Sequence, residues 1–333
     1  MKIAIIGAGA IGSVAAAYLT KTGKDVTLIG KQEQVDAVNE RGLHINGVRG
    51  EEIIKVKMAT KLQHEYDLLV FTVKTQDIED AFQQNQEFLE KGLILTSQNG
   101  VQADNILSVH IDKKRLYSSI VMFGATYIEP GKIIFNFEGD WIIGKPFELL
   151  DPTGHTIGEE LGSAFKVVMS TNVTGMKWCK LFVNFNNCIP ALLGKSMQET
   201  FSDLDMCKLS VRLLKEGLDI VSKANIGIEA LPSVPAERFF GLAAMPEEQA
   251  VGIINKTMTG LSKEPLYGSV LQSIKRGRAS EIDFINGEIV QLGKFMHADV
   301  KLNEMLVDMV HEVERTGKFF SFDEIKQKFG LQV

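Results

Sequence analysis

Two stretches of this 333-residue chain carry residue types whose spacing could do chemistry. The first is Met1 to Gly12, MKIAIIGAGAIG, where an apolar run leads directly into Gly7, Gly9 and Gly12. Each glycine has a physical job there: Gly7 permits a tight turn, Gly9 lets a pyrophosphate approach the backbone, and Gly12 lets helix and strand pack closely. With Ala8, Ala10 and Ile11 completing the loop, the segment forms a candidate dinucleotide cradle. The helix read over residues 11–22 would turn its free N–H groups and positive dipole end toward phosphates. A GxGxxG string alone is weak, but here strand, loop, helix and second strand arrive in the required order.

The end of the second strand selects the cofactor. A carboxylate there would accept hydrogen bonds from the adenosine ribose of NAD, whereas this chain has Ile29, Gly30 and Lys31. The missing acid and the cation at Lys31 together favour the 2′-phosphate of NADP(H). Two further strand ends carry polar groups where open α/β sheets bind ligands: Lys74 after Leu68–Val73, and Asn99 in Gln98-Asn99-Gly100 after Leu93–Ser97. Without the glycine loop, the same residues read as an end cap and a turn.

The second chemical stretch is WCKLFVNFNNCIPALL, from Trp178 to Leu193. Three asparagines among bulky apolar residues need partners, because a buried unpaired amide is costly. At helical spacing Lys180, Asn184 and either Asn187 or Cys188 share one face, away from Leu181, Phe182 and Phe185. That stripe fits a ligand-facing wall in which Lys180 is a proton donor and Asn184 positions substrate or nicotinamide. Desolvation in such a cleft would lower the lysine pKa toward the working range. The plainer alternative has Lys180 reaching solvent and the asparagines bridging helices.

A third segment, SVLQSIKRGRASEIDFING, runs from Ser269 to Gly287. Ser280 followed by Glu281 and Asp283 reads as a helix N-cap with acids in its first turn. The functional alternative uses Glu281 to hold Lys180 or contact ligand hydroxyls, and Ser269 to bind a substrate carboxylate.

The elements that must position these residues change in texture near Asn172. Before it, strands at Lys2–Ile6, Val26–Ile29, Leu68–Val73, Leu93–Ser97 and Tyr117–Met122 alternate with helices near residues 11–22, 78–89 and 105–109. This is the pattern of a Rossmann-type, doubly wound parallel sheet. Residues 43–59 and 126–143 interrupt the alternation and read as added antiparallel ribbons or edge strands. After about Thr174, helical periodicity dominates, broken at Pro232, Pro235, Pro246 and Pro265. The expectation is an α/β cofactor domain over residues 1–172 and an all-helical substrate and catalytic domain over residues 173–333.

Composition bounds the function. Apolar residues make up 45% and charged residues 23% of the chain, an ordinary globular balance that excludes a disordered or low-complexity protein. Thirty-six basic and 42 acidic side chains leave a net charge of -6, so no general attraction to nucleic acid or anionic membrane is expected. No apolar stretch approaches the roughly 20 residues of a membrane span, and the N-terminus carries no signal-peptide pattern, so the expected location is the cytoplasm. Cys179, Cys188 and Cys207 are read as free thiols. Six dispersed histidines show no metal-ligand spacing, so no metal is expected. Apolar helical faces would serve either a homodimer or the helical domain's own core.

On these residues the chain resembles the ketopantoate reductase (2-dehydropantoate 2-reductase) family, within the 6-phosphogluconate-dehydrogenase-like group. The motifs run in order through nearly the whole chain: GAGAIG at the start, VKT at Lys74, QNG at Asn99, WCKLFVN around Lys180 and GRASEIDFING around Glu281. The resemblance implies that Lys180 protonates a 2-oxo group while NADPH delivers hydride. It further implies that Asn99, Asn184, Cys188 and Ser269 line the substrate site, and that Glu281 contacts Lys180 or the bound ligands. Lys31 would meet the 2′-phosphate and Lys74 would line the cofactor cleft. In two places the chain departs from the family pattern: Cys188 stands where a second asparagine is usual, and Ser273 where an aspartate is usual. Both departures fall in the substrate region.

Three functions therefore compete. The first is NADPH-dependent reduction of a small 2-oxo acid, 2-dehydropantoate to pantoate in pantothenate biosynthesis being the default. The second is a related dehydrogenase acting on another carboxylate-bearing carbonyl or imine. The third is a non-catalytic NADP-binding redox sensor, which has no use for a proton donor such as Lys180.

Overall fold

The computed structural model describes residues 1–331, and the chain folds as two units, Met1–Thr174 and Gly175–Val333. The first unit holds twelve strands: β1 (Lys2–Ile6), β2 (Asp25–Ile29), β3 (Leu43–Gly47), β4 (Glu52–Ile54), β5 (Lys57–Ala59), β6 (Leu68–Phe71), β7 (Leu93–Thr96), β8 (Leu116–Val121), β9 (Gly124–Glu129), β10 (Lys132–Phe137), β11 (Trp141–Gly144) and β12 (Val167–Met169). Its helices are α1 (Ala10–Lys21), α2 (Gln32–Arg41), α3 (Ile78–Asn85), α4 (Gln102–Ser108) and α5 (Pro152–Gly162).

Eight strands form the main sheet in the order β12-β11-β8-β7-β6-β1-β2-β5. Pairing is parallel from β5 through to β8, and only the β8–β11 junction is antiparallel. The central strands are buried on both faces, which is why they read as continuous apolar runs. From β1 the chain moves outward to β2 and β5, then returns to β6 on the other flank of β1. Strand order therefore reverses between β1 and β6, the position where open α/β sheets bind ligands.

The two interruptions behave partly as read. Residues 43–54 form an antiparallel hairpin, and β9 and β10 form another. The hairpins then join through parallel pairing of β10 with β3, His44 opposite Lys132, into a separate sheet of order β4-β3-β10-β9. β5 and β11 leave these segments and join the main sheet. The small sheet packs on α1 through Tyr18 against Phe135, ring centroids 5.6 Å apart, with the Arg49 guanidinium 4.4 Å above the Tyr18 ring. Three details differ from the sequence reading. The helix read over 78–89 loosens into a 3-10 turn at Gln86–Phe88, α4 starts at Gln102 rather than 105, and α5 with β12 was not foreseen.

The second unit is helical. α6 (Val173–Asn184) enters it, followed by α7 (Cys188–Leu193), α8 (Met197–Phe201), α9 (Leu204–Lys223), α10 (Glu237–Ala244), α11 (Glu247–Thr259), α12 (Ser269–Lys275), α13 (Asn286–Phe295), α14 (Lys301–Thr316) and α15 (Phe322–Lys328). α9 is the spine: Leu209, Leu213, Ile220 and Val221 are buried at helical spacing, and α10, α11, α13 and α14 pack against it. Pro235 and Pro246 precede α10 and α11, as helix breakers should, and Pro265 lies in the loop before α12. All three cysteines are free and buried. Among the described residues, no helix is long and apolar enough to cross a membrane.

Candidate active site

The glycine loop follows β1 directly. Gly7 sits at φ +122°, a backbone conformation closed to most side chains, and its N–H donates to Ile29 O at 2.9 Å, tying loop to β2. A Cβ on Gly12 would lie 2.1 Å from Gly7 O and 2.4 Å from Thr72 Oγ1, so only glycine lets α1 start this close to the turn. A Cβ on Gly9, by contrast, would meet nothing within 4 Å. The loop thus presents a bare backbone face to open space at Gly9, at the start of a helix with no carboxylate in its first turn. These features fit a pyrophosphate.

Sequence reasoning missed the residue that ties this loop to the end of β2. Gln34 in α2 donates from Nε2 to Ala8 O at 2.6 Å and accepts at Oε1 from Lys31 N at 3.0 Å. Gly30 makes room for it, since a Cβ there would lie 2.8 Å from Gln34 Oε1. A glutamine five residues past the strand is unremarkable in sequence, and only the loop's exposed carbonyl gives it a purpose. Lys31 itself is exposed at the start of α2.

The two other strand ends are joined by Gln98. Its buried side chain donates from Nε2 to Phe71 O and Val73 O, both at 2.9 Å, and accepts from Ser97 N at 3.0 Å. Thr75 Oγ1 adds a long bond of 3.4 Å to Asn99 O. The half-buried residues Lys74 and Asn99 are therefore carried on loops that one amide locks together. Replacing Gln98 with leucine keeps the volume but strips Val73 O and Ser97 N of this partner, while Phe71 O keeps its bond from Ser97 Oγ at 2.7 Å. The cost is about 1–3 kcal/mol per buried group left unpaired. A urea midpoint lowered by the equivalent of roughly 2–4 kcal/mol is expected; an unchanged midpoint would mean that water replaces the amide at no cost.

In the second unit, α6 places Lys180 and Asn184 one turn apart. Asn184 is buried, whereas Lys180 keeps partial solvent exposure at the surface of a desolvating environment. Burial pushes the Lys180 amine down to about 8 from 10.5, so the group can exchange a proton near neutral pH.

After Asn184 the backbone tightens into a 3-10 turn, Phe185–Asn187, before α7 begins. This decides which residue extends the stripe. Cys188 is 0% exposed, and its Sγ–H donates to Asn286 Oδ1 at 2.8 Å, so the reading that placed Cys188 in the substrate site is corrected. Its thiol is raised far above the usual range by burial, and it faces the helical core. The physical reason is the turn: at three residues per turn, i+3 stays in line and i+4 rotates inward. Asn187 remains half-exposed.

Ser269 is exposed at the first position of α12. Ser273 is buried and donates to Ser269 O at 3.0 Å, a bond within its own helix. Ser280 does not cap a long helix: its Oγ accepts from Ile282 N at 3.2 Å in a 3-10 turn, Ile282–Phe284, and α13 begins only at Asn286. The half-buried Glu281 stands between two clamped neighbours. Ser280 N donates to Glu314 Oε1 at 2.7 Å, and Asp283 Oδ1 meets His311 Nε2 at 2.9 Å. His311 Nδ1 lies 3.0 Å from Glu314 Oε2, closing the clamp. Burial opposes charge on that ring, but its bonds to Asp283 and Glu314 outweigh it and raise the His311 pKa above its usual value. Among the described residues, no group of three or more His, Cys, Asp or Glu side chains is placed to hold a metal ion.

Comparison with known proteins follows the same division. Residues 3–146 match the ketopantoate reductase PanE/ApbA family, and residues 172–314 match its C-terminal domain. A 2-dehydropantoate 2-reductase of Pyrococcus horikoshii is 31% identical over 326 residues, covering 95% of this chain and 99% of that protein. Among solved structures, a PanE/ApbA family ketopantoate reductase from Ralstonia eutropha superposes with a TM-score of 0.80 at 24% identity, covering 95% of this chain and 99% of the other. D-mandelate dehydrogenase, in a ternary structure with NADH and anilino(oxo)acetate, superposes with a TM-score of 0.81 at 23% identity and the same coverage. With both of its halves matched in order along one chain, the protein belongs to the ketopantoate reductase PanE/ApbA family of oxidoreductases.

Proposed function

We propose that the protein is an NADPH-dependent reductase of a small 2-oxo acid, with 2-dehydropantoate as the leading substrate. The observation that carries this reading is the desolvated amine of Lys180 on one helical stripe with Asn184. The family uses a nicotinamide cofactor. Gly7 to Gly12 would hold its pyrophosphate, Lys31 its 2′-phosphate, and Lys74 and Asn99 would line the rest of its site on the first unit. Bound NADPH supplies the hydride.

The chain's own residues do the rest. Lys180 holds a proton on Nζ for the carbonyl oxygen, and its lowered pKa makes that proton easier to release than from an ordinary lysine. As an ammonium it also stabilises negative charge developing on that oxygen. Asn184 and Ser269 would fix the substrate by neutral hydrogen bonds. A carboxylate-bearing substrate suits a set of lysines and amides better than a cationic one.

The test follows NADPH absorbance with a panel of 2-oxo acids. The panel includes 2-dehydropantoate and phenylglyoxylate, the latter because of the mandelate dehydrogenase likeness. Turnover of 2-dehydropantoate with the highest kcat/KM is expected; failure of the whole panel would leave the NADP-binding sensor. Lys31→Ala is expected to weaken NADPH binding by about three- to tenfold, a modest effect because the lysine is exposed, and to leave NADH binding unchanged. Equal effects on both cofactors would move the phosphate contact elsewhere.

A further inference from the structure

We propose that Gln34 is a positioning residue for the cofactor: its amide turns the Ala8 carbonyl of the glycine loop away from the pyrophosphate and seats Lys31 for the 2′-phosphate. The inference rests on the NADPH reading above. All of the groups involved lie in the first unit.

The loop is a good anion site only while its carbonyls are turned aside, because a pyrophosphate is held by N–H groups and repelled by carbonyl oxygens. Three carbonyls of the loop are engaged. Gly7 O accepts from Thr72 Oγ1 at 2.7 Å, Ala8 O from Gln34 Nε2 at 2.6 Å, and Gly9 O from Ser13 N at 3.0 Å. The last of these is the opening bond of α1 itself, so the first two are the ones that depend on distant side chains. Among the described residues no peptide bond is cis, and in a trans peptide the N–H points opposite to the C=O before it. Holding Ala8 O toward α2 therefore aims the Gly9 N–H away from α2, and within residues 7–12 Gly9 is the exposed one.

Gln34 is the third residue of α2, and its Oε1 accepts from the N–H of Lys31, the N-cap of that helix, at 3.0 Å. That bond is the ordinary back-reach of a capping glutamine to its helix start. The other end of the same amide bonds a carbonyl 26 residues earlier in the chain, which no helix cap requires. Tyr127 of β9 gives Nε2 a second, longer contact at 3.3 Å. Gly30 has no left-handed φ to account for it, yet a Cβ there would lie 2.6 Å from Ala8 Cβ and 2.8 Å from Gln34 Oε1. The missing side chain thus serves the space that loop and amide share. NAD-type folds carry a ribose-binding carboxylate at this strand end, and the packing that seats Gln34 excludes one from position 30.

One amide therefore serves two parts of one cofactor. The bond to Ala8 O bears on the pyrophosphate, which NADPH and NADH share. The bond to Lys31 N bears on the 2′-phosphate, which NADPH alone carries. Lys31 is exposed on a flexible stem, so the placement of its backbone restricts where the ammonium can reach.

The test measures NADPH and NADH binding by fluorescence titration of the full chain. Gln34→Met keeps the side chain's length and helix propensity but makes neither bond. Counting about three- to tenfold for each lost bond, NADPH affinity should fall about 10- to 100-fold and NADH affinity about three- to tenfold. In a Lys31→Ala background the same substitution should weaken both cofactors alike, by about three- to tenfold, because the 2′-phosphate part is already gone. In the cofactor-free protein, hydrogen exchange at the Lys31 amide should speed up about threefold or more in Gln34→Met, its acceptor having been removed. A glutamine with a structural role alone would lower the melting temperature and leave the NADPH preference where it was. Tyr127→Phe, which spares the two shorter bonds, should keep that preference. Equal losses for the two cofactors in Gln34→Met, an undiminished NADPH-selective loss in the Lys31→Ala background, or the selective loss reproduced by Tyr127→Phe would overturn the assignment. Failure of the NADPH reading looks different, because it shows in the parent. A parent that binds neither dinucleotide removes both the reading and this role. A parent without preference for NADPH removes the 2′-phosphate half, and the loop half then stands only if Gln34→Met still weakens NADH by about three- to tenfold.

Discussion

Lys180→Met is expected to cost about two to four orders of magnitude in the rate of 2-oxo acid reduction, the usual contribution of a positioned proton donor, while making the protein more stable. The two effects share one cause. Burial lowers the amine from 10.5 to about 8, so below pH 8 the folded protein holds an ammonium where water would solvate it better. A displacement of that size corresponds to about 3 kcal/mol as an upper figure, reduced by the residue's partial exposure. The folded-state pKa lies below the unfolded one, so the unfolded chain binds the proton more tightly. The parent therefore carries the full cost below pH 8, recovers it between about 8 and 10.5, and carries none above. Methionine removes the cost at neutral pH, so its thermal midpoint should rise by a few degrees at pH 7 and converge with the parent at alkaline pH. Reduction by the parent should fall about tenfold per pH unit once pH exceeds about 8, because a neutral amine has no proton to give. A flat profile to pH 9.5, or a methionine variant retaining half the parent rate, would remove Lys180 from the chemistry.

Gly9→Ala and Gly12→Ala should both weaken dinucleotide binding strongly, by routes that thermal unfolding separates. At Gly12 the new methyl would meet Gly7 O at 2.1 Å, a backbone atom that cannot turn aside, so α1 must lift from the loop. Overpacking of this kind costs about 1–3 kcal/mol, and NADPH affinity should fall more than about 100-fold along with stability. At Gly9 the methyl meets no protein atom within 4 Å, and the local φ of −75° accepts alanine. That variant should melt with the parent yet bind NADPH weakly, because the methyl stands where the pyrophosphate must approach. NADPH fluorescence titration beside a melting curve reads both. Parent-like affinity in Gly9→Ala would put the phosphates somewhere other than this loop.

The features read correctly from sequence are local ones. Glycine spacing between a strand and a helix constrains backbone geometry within a dozen residues, so the loop at Gly7 to Gly12 could be read without tertiary knowledge. Continuous apolar strands likewise announce a parallel sheet buried on both faces. The fate of residues 43–59 and 126–143 could not be read that way. Each looks like a ribbon, but β3 finds β10 only through pairing across the fold. The stripe after Lys180 exposed a different ambiguity. Periodicity admits both Asn187 and Cys188, and the choice rests on a 3-10 turn that α9 enforces through Ser210 and Gly217. Gln34 and Gln98 were silent for a related reason: a glutamine advertises nothing until loop carbonyls converge on it.

The pairing of β3 with β10 also bears on how the protein is made. During synthesis His44 emerges long before its partner Lys132, an interval on the order of ten seconds at ordinary ribosomal rates. Until then β3 has only β4 beside it, a two-stranded hairpin too small to be stable alone, and Tyr18 of α1 waits uncovered for Phe135. The nascent chain thus carries an open strand edge next to an apolar helix face, the combination that chaperones bind and that aggregates when crowded. The glycine loop, whose strand and helix lie within the first few turns of the chain, can take shape during that interval, before its protecting sheet exists.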